Sequence, residues 1–380
     1  MPTPEQAQAL DTVLWRCRDL YNAALEERKT AWDRCHVSLT YYQQKAELPD
    51  LKAACPEYAE VSAQVLQDVI LRVERTFQAF FRRVKAGEKV GYPRFRGRGR
   101  YTSFTYPQYG GGAVLDGGVL SLSKIGRIPI RLHRLLVGTP KTVTISREAD
   151  GWYACISCAE VPIQPLPPTG QETGIDVGLQ VFLVTADGEV VENPRYYRKA
   201  ERALRKAQRR VARRKQGSNR RRKAVALLKR KHQKIARQRR DFQHKAALSL
   251  VRNYDTIYLE DLQVRNMVRN PYLAKSISDA GWSQFRTILA GKAAWAGKRV
   301  IAVSPAFTTQ NCSGMLPDGS PCPERIQKAL SVWTHVCPRC GLVLDRDANA
   351  ALNILRVGKK QSGEGHFPQA STWVDAPSVA

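Results

Sequence analysis

The sequence predicts an α/β protein whose sheet carries packed helices, preceded by an all-β part and a helical part. Three observations carry this prediction. Apolar residues recur at three- and four-residue spacing as far as Gly87, short alternating runs broken by Gly and Pro begin at Gly91, and beyond a proline-rich link strands alternate with long helices.

The helical part, residues 1–88, opens with Thr3 before Pro4 and Glu5, so a cap residue, an N1 proline and an early acid mark a helix start. Further on, Val65, Leu66, Val69, Ile70, Val73, Phe77, Phe80 and Phe81 share one helix face, and Gly87 ends the run. Residues 89–162 have the texture of a compact β-barrel. Basic and aromatic residues interleave there, from Tyr92 through Arg94, Phe95, Arg96, Arg98 and Arg100 to Tyr101, a pattern suited to stacking on bases while pairing phosphates. Arg94 and Arg96 are the candidate contacts.

The segment VPIQPLPPTG, residues 161–170, is the clearest boundary. The α/β part, residues 163–310, begins with TGIDVGLQVFLVTADGEVVEN, two strands about a tight turn with a second turn at Asp187 and Gly188. A basic segment at 195–252 follows, then the strand DTIYLEDL, a helix expected from about Ser278 to Gly297, and the strand KRVIAVSP. A cysteine-bearing insert covers 311–342, the final helix is expected over 343–357, and the polar tail 358–380 is expected to be disordered.

The chain has 380 residues, 43% of them hydrophobic, which is enough for real cores in two or three domains. Its 61 Lys plus Arg exceed its 34 Asp plus Glu by 27, with a pI near 10.0, so the partner is a polyanion. No apolar run approaches the roughly 18–20 residues a bilayer span needs, and the N-terminus has no secretory pattern. We therefore expect a cytoplasmic protein, nucleoid-associated when bound to DNA, with nucleic acid rather than membrane as partner. In such a reducing compartment the 9 cysteines are metal ligands and small buried side chains rather than disulfides.

Most of the charge is local. Between Arg195 and Lys245 lie 23 basic residues and only two acids, Glu201 and Asp241, a net of +21. The composition favours two long helices joined at Gly217 to Asn219, each with one narrow apolar stripe: Ala203, Leu204, Ala207 and Val211, then Val225, Leu228, Ile235 and Phe242. A solvated charged hairpin is the bland alternative, but like charges this dense repel unless a polyanion neutralises them. Arg205, Arg209, Arg213, Arg221 and Lys229 are the candidate backbone contacts.

Three acids end otherwise apolar elements: Asp176 in TGIDVG, Glu260 in YDTIYLEDL and Asp347 in LDRDANAALN. Singly, each reads as a strand-end or cap residue. Together, on two strands and a terminal helix, they match the set an RNase H type core uses to bind two Mg²⁺ ions for phosphodiester cleavage. Asp345 and Asp261 are weaker candidates, Asp345 as a helix cap. A second cluster, Cys312, Cys322, Cys337 and Cys340, predicts a four-cysteine Zn²⁺ site. CPRCG is a strong half-site, whereas the other half has Met315 where a knuckle cysteine is expected, so Cys322 must reach back across a Pro- and Gly-containing loop. Cys155 and Cys158 share the spacing of CPRCG but lie in a strand, where positions i and i+3 face opposite sides. The histidines form no ligand cluster.

At GIDVG, YLEDL, SISDAGWSQF, CPRCG and DRDANAALNI, over about residues 2–356, the sequence resembles the transposon-encoded TnpB family, relatives of type V CRISPR effectors and of the Fanzor proteins. The resemblance implies an RNA-guided DNA endonuclease. It implies an RNase H-like RuvC domain with a zinc-ribbon insert, preceded by a β-barrel wedge domain carrying a helical recognition domain. It further implies that Asp176, Glu260 and Asp347 are the RuvC triad, and that a guide RNA from the element's end pairs with one strand of a double-stranded DNA target. The protein itself would read a short adjacent motif. By alignment Tyr41, Gln67 and Thr105 fall where the family contacts that motif. Family members usually begin with a short basic strand before the PTPEQ segment, in which this chain starts, so the barrel is expected to lack its first strand. The alternatives are an RNA-guided DNA-binding repressor without cleavage, a guide-independent RuvC-type structure-specific nuclease, and a basic zinc-ribbon RNA-binding protein. The intact set of three acids favours cleavage.

Overall fold

A computed structural model describes residues 2–97, 99–329 and 331–363. The chain divides between Pro162 and Ile163 into two compact units, within the proline-rich segment expected to separate domains.

In the first unit, helix α1 (Pro4–Cys35) starts as its sequence dictates. The Thr3 hydroxyl accepts the Gln6 N–H at 3.2 Å while the Gln6 side chain accepts the Thr3 N–H at 3.0 Å, so two of the helix's orphan donors are satisfied. Two short helices, α2 (Tyr41–Ala46) and α3 (Leu48–Ala54), lead to α4 (Ala63–Lys85). The predicted stripe of α4 is buried from Val65 to Phe77, but Phe81 is exposed; Phe80 and Phe81 form an aromatic cluster with Phe77 and Tyr92.

Six strands follow: β1 (Ser103–Tyr106), β2 (Ala113–Asp116), β3 (Val119–Leu122), β4 (Gly126–Pro129), β5 (Thr139–Arg147) and β6 (Trp152–Ala159). Among the described residues they do not form one barrel. They pair as two separate antiparallel sheets, β1-β5-β6 and β2-β3-β4. The meander β2-β3-β4 closes its ladders within itself, and the turn at Gly110–Gly112 separates it from β1. A shared apolar core replaces the missing ladder: Phe104, Tyr106, Val143 and Ile145 of one sheet and Leu120, Leu122 and Ile128 of the other join one cluster with Leu14, Leu66 and Val69 of the helices.

The second unit is built on a five-stranded sheet of order β11-β10-β7-β8-β9. Strands β7 (Glu172–Val177), β8 (Val181–Thr185) and β9 (Val190–Glu192) are antiparallel neighbours. Strands β10 (Thr256–Glu260) and β11 (Arg299–Val303) add in parallel through helical crossovers. The hairpin α5 (Tyr196–Ala212) and α6 (Asn219–Asn253) lies between β9 and β10. Leu204, Ala207, Ala224 and Ile235 are buried in it, while Ala203 is exposed.

Two corrections concern glycines. The expected single helix over 278–297 is α8 (Ala274–Ala280) followed by α9 (Trp282–Trp295), after the short α7 (Val264–Met267). Gly281, at φ +68, ends α8 in the left-handed region that only glycine enters freely. The final helix does not stop before Gly358: α10 runs Arg346–Gly363, preceded by the strand pair β12 (Thr334–Val336) and β13 (Val343–Asp345). Gly358 sits inside α10 because the ring of Tyr258 occupies the space of a side chain, a Cβ there falling 2.0 Å from it. The remaining tail, 364–380, lies outside the described residues.

Period-two alternation sorts the sheet's two faces. Ile257 and Leu259 meet α6 and α9 through Leu250, Val251, Phe285 and Leu289, whereas Tyr258 meets α10 through Ile354.

Candidate metal centres

The same alternation brings the acids together. Gly174 and Asp176 share a face of β7, Tyr258 and Glu260 share a face of β10, and the parallel register Tyr258–Gly174 makes these the same face. Both acids stand at the carboxyl ends of their strands. Gly174 lets α10 lie directly on that face: a Cβ there would fall 2.2 Å from the Ala351 carbonyl oxygen. The first turn of α10 then delivers Asp347, whose Oδ2 is 3.7 Å from where a Cβ on Gly178 would stand, just beyond Asp176. Asp345 is the cap of this helix, its carboxylate accepting the N–H groups of Asp347 (2.8 Å) and Ala348 (3.2 Å). Asp261 is engaged by Arg286 at 2.7 Å.

The electrostatics are those of an under-compensated anion cluster. Burial, then the charges of Glu260 and Asp347, hold the Asp176 carboxyl well above the usual carboxylate range. Burial raises Glu260, partly offset by a hydrogen bond from Thr308, and raises Asp347, partly offset by Arg346. Carboxylates grouped this way, with one cation beside them, fit hard divalent ions such as Mg²⁺. They are spaced more loosely than the thiolates below, the one set among the described residues that meets within 4.8 Å.

That set is Cys312, Cys322, Cys337 and Cys340. The Cys312–Cys340 and Cys322–Cys337 sulfur pairs are 3.5 and 3.7 Å apart. A tetrahedron with Zn–S bonds of about 2.3 Å has S···S edges of roughly 3.8 Å, so the cage fits zinc. The irregular half-site closes by a backbone device: Cys322 N–H donates to the Gly314 carbonyl at 3.0 Å, and a bridge from Met315 to Pro321 closes residues 315–321 into an excursion. Met315 itself is exposed. Gly314 is required, since a Cβ there would lie 2.6 Å from the Cys340 sulfur. Burial pushes the Cys312 thiol up to about 12; burial also opposes ionisation of Cys337, but N–H groups of Cys340 and Arg339 bring that thiol down to about 7.

Sequence reasoning missed the polar side of α10 and the residue beside Glu260. Asn349, Asn353 and Arg356 share one helix face, and all three bind the backbone of residues 308–313. The signal was present: two asparagines inside an apolar helix are buried polar groups that need partners.

The candidate nucleic-acid residues are dispersed. Arg205, Arg209, Arg213 and Lys229 are exposed on the hairpin, whereas Arg221 points its guanidinium at the Val211 (2.8 Å) and Arg214 (3.0 Å) carbonyls and closes the turn. In the first unit Tyr41 is half-buried at the start of α2, Gln67 is half-buried on α4, and Thr105 on β1 accepts from Arg72 at 2.7 Å. Arg94 is exposed; Arg96 is tied through its backbone to Asn22, with its guanidinium 5.8 Å from the Tyr21 ring centre. Arg98 lies outside the described residues.

Comparison with known proteins agrees with this architecture. The family described as "Probable transposase" (OrfB_IS605) matches residues 155–271, "Cas12f1-like, TNB domain" matches 282–354, and a "Helix-turn-helix domain" matches 1–36, where the structure has the single helix α1. A "Putative RNA-guided DNA endonuclease" of Streptomyces pristinaespiralis is 35% identical over 377 residues, covering 97% of this chain and 90% of the relative. "Putative RNA-guided DNA endonuclease InsQ" of Escherichia coli K12 is 30% identical, covering 93% and 89%. Among solved structures, the "Cas12f1-sgRNA-target DNA complex" shares the fold at a TM-score of 0.58 and 14% identity, covering 93% of this chain and 83% of that one. With similarity to these relatives over nine-tenths of the chain, and with family models for both the transposase and the Cas12f1-like domain matching in turn, the chain belongs to the TnpB family, related to Cas12f.

Proposed function

We propose that this protein is an RNA-guided DNA endonuclease of its transposon, with a guide RNA from the element's end, that cuts a double-stranded DNA target beside a short adjacent motif. The observation that carries the reading is the convergence of Asp176, Glu260 and Asp347 on one face of the sheet, with all three carboxyls raised above their ordinary range. Structural carboxylates are normally paired with cations; three carboxyls grouped in a buried place with one arginine beside them suit a site that receives cations with its substrate.

Asp176, Glu260 and Asp347 would hold Mg²⁺, which when bound supplies an activated water and neutralises charge on the phosphodiester. The chain's own residues do the rest. Strand ends β7 and β10 fix two carboxylates on a rigid sheet, and Asp345 caps α10 so that its first turn presents the third. Arg346, 3.4 Å from Asp347, limits the repulsion within the set. The hairpin, with Arg205, Arg209, Arg213 and Lys229 outward, suits the backbone of a guide–target duplex, and Arg94, Arg96, Tyr41, Gln67 and Thr105 belong to the unit proposed to engage guide RNA and adjacent motif. The thiolate cage would hold a structural Zn²⁺.

The test is to co-express the protein with the DNA flanking its gene, sequence the bound RNA, and incubate the complex with matching plasmid and Mg²⁺. Cleavage that disappears in Asp176→Ala while RNA binding persists supports the proposal. Guide-dependent binding to target without cleavage would establish a repressor instead, and cleavage without RNA a guide-independent nuclease.

A further inference from the structure

Between the end of β11 and the first zinc-site cysteine runs a short segment, residues 304–312, whose backbone is bound at almost every step. Its conformation begins with an outlier: Phe307, a bulky aromatic, sits at φ +64 in the left-handed region. Such a residue costs on the order of 1–2 kcal/mol and persists only where its surroundings over-determine it. Here they do. The Arg325 guanidinium stacks 3.8 Å from the Phe307 ring centre and donates to the Asn311 side chain at 3.0 Å, and the Phe307 carbonyl accepts the N–H groups of Gln310 and Asn311.

The strained turn aims the next residue. Thr308 is buried, and its hydroxyl donates to Glu260 Oε1. Among the described residues no hydrogen bond engages Oε2, so one oxygen of this carboxylate is fixed while the other is left open. The Thr308 carbonyl is in turn held by Asn353 Nδ2 at 2.9 Å, and that same nitrogen binds the Asn311 carbonyl at 2.7 Å, one residue before Cys312. Asn353 and Asp347 ride on one helix. A continuous set of contacts therefore runs from the thiolate cage, through the segment and α10, to two of the three acids.

We infer that Thr308 and Asn353 are positioning residues for Glu260, and that the segment they brace couples the loading of the thiolate site to divalent-ion binding at the acids. This rests on the reading of Asp176, Glu260 and Asp347 as a divalent centre. The physical reason is that a buried carboxylate has several rotamers, and a cation site pays for disorder among them. A donor locked from behind removes that disorder, as outer-shell partners of metal ligands do, at a typical worth of about 10- to 100-fold in metal affinity. A zinc-loaded cage fixes Cys312 and so one end of the brace. By linkage the two metal sites must then influence each other equally.

The test uses the full chain, with Mn²⁺ as the probe, its free concentration read by electron paramagnetic resonance, and zinc content measured on each sample. Thr308→Val keeps the shape and removes the donor; it is expected to weaken Mn²⁺ binding about tenfold at unchanged zinc content. Thr308→Ser keeps the donor and is expected to bind as the parent does. Asn353→Ala should move Mn²⁺ affinity in the same direction as Thr308→Val, and carries the test should that variant not fold. Cys337→Ser, which empties the cage, should also weaken Mn²⁺ binding, and combining it with Thr308→Val should add little, because both act through one segment. Asp176→Ala is the reference. If it leaves Mn²⁺ binding intact, the acidic centre itself has been misread. If it abolishes binding while Thr308→Val binds as the parent does, the positioning role and the coupling through it are both overturned; if instead the two losses in the double variant are fully additive, only the coupling is overturned.

Discussion

Gly174→Ala tests how the third acid reaches the other two. The added Cβ would lie 2.2 Å from the Ala351 carbonyl oxygen and 2.5 Å from the Leu355 nitrogen, the acceptor and donor of one backbone hydrogen bond in α10. Ordinary contact begins at 3.4 Å, so the methyl intrudes by about 1.2 Å on main-chain atoms that cannot rotate away. The helix must retreat by roughly 1 Å from a face where Ala350, Ala351 and Ile354 are wholly buried, and a gap of that size forfeits about a quarter to a half of each dispersion contact. Overpacking against backbone belongs at the upper end of the usual range, about 3 kcal/mol, or a fall in Tm of about 6–12 °C for a unit of this size. Because Asp347 is in the first turn of α10, a shift of about 1 Å relative to Asp176 should lower cleavage by about 100-fold under conditions where the variant is folded. Thermal unfolding by circular dichroism and guided plasmid cleavage measure the two effects. Gly291→Ala is the control: that glycine is exposed within α9 with no atom near its missing side chain, so alanine should stabilise by about 0.5–1 kcal/mol. A Gly174→Ala protein melting within about 1 °C of the parent and cutting normally would refute the close-approach account.

Removing the charge of Asp176 should reveal what it costs to bury that charge beside two other acids. Its carboxyl titrates higher in the folded chain than in the unfolded one, so the folded state binds the proton more tightly and the metal-free parent gains stability as pH falls through the raised value. Asp176→Asn should therefore be more stable than the parent at pH 8 in chelator, with the advantage shrinking at pH 5; urea titrations at both pH values check the sign. Cys337→Ser should lose bound zinc on metal analysis, and a variant retaining full metal would refute the four-thiolate cage. Replacing Arg205, Arg209 and Arg213 by Gln should flatten the dependence of log affinity for RNA on log salt by about 2–3 units of slope, measured by filter binding across salt concentrations. Asp279 accepts the first-turn N–H groups of Tyr197 and Arg198 at 2.9 and 3.2 Å, so Asp279→Ala should cost about 0.5–2 kcal/mol by uncapping the basic hairpin, read as loss of helical signal on heating.

Much of this was legible in the chain. The +21 segment, the proline-rich boundary, the Thr3 cap and the strands around Asp176 and Glu260 are local signals, set by charge, capping chemistry and periodicity, and they reappear where the sequence puts them. The four cysteines were legible for the same reason, since thiols have few other tasks in such a loop. Glycines misled the reading because a glycine has two uses that look alike in one dimension. Gly281 breaks a helix by adopting positive φ, whereas Gly358 continues one by making room for Tyr258.

What the sequence determined by itself was chemical inventory and local form: which residues could carry charge, metal and helix, and in what order. Tertiary structure decided which of them meet. Register and alternation bring Asp176 and Glu260 to one face, missing Cβ atoms at Gly174 and Gly358 let α10 close on that face with Asp347, and Thr308, unremarkable in the chain, comes to hold a carboxylate 48 residues away. The reason is that such contacts depend on close packing between segments distant in sequence, and no local periodicity encodes the distance of closest approach.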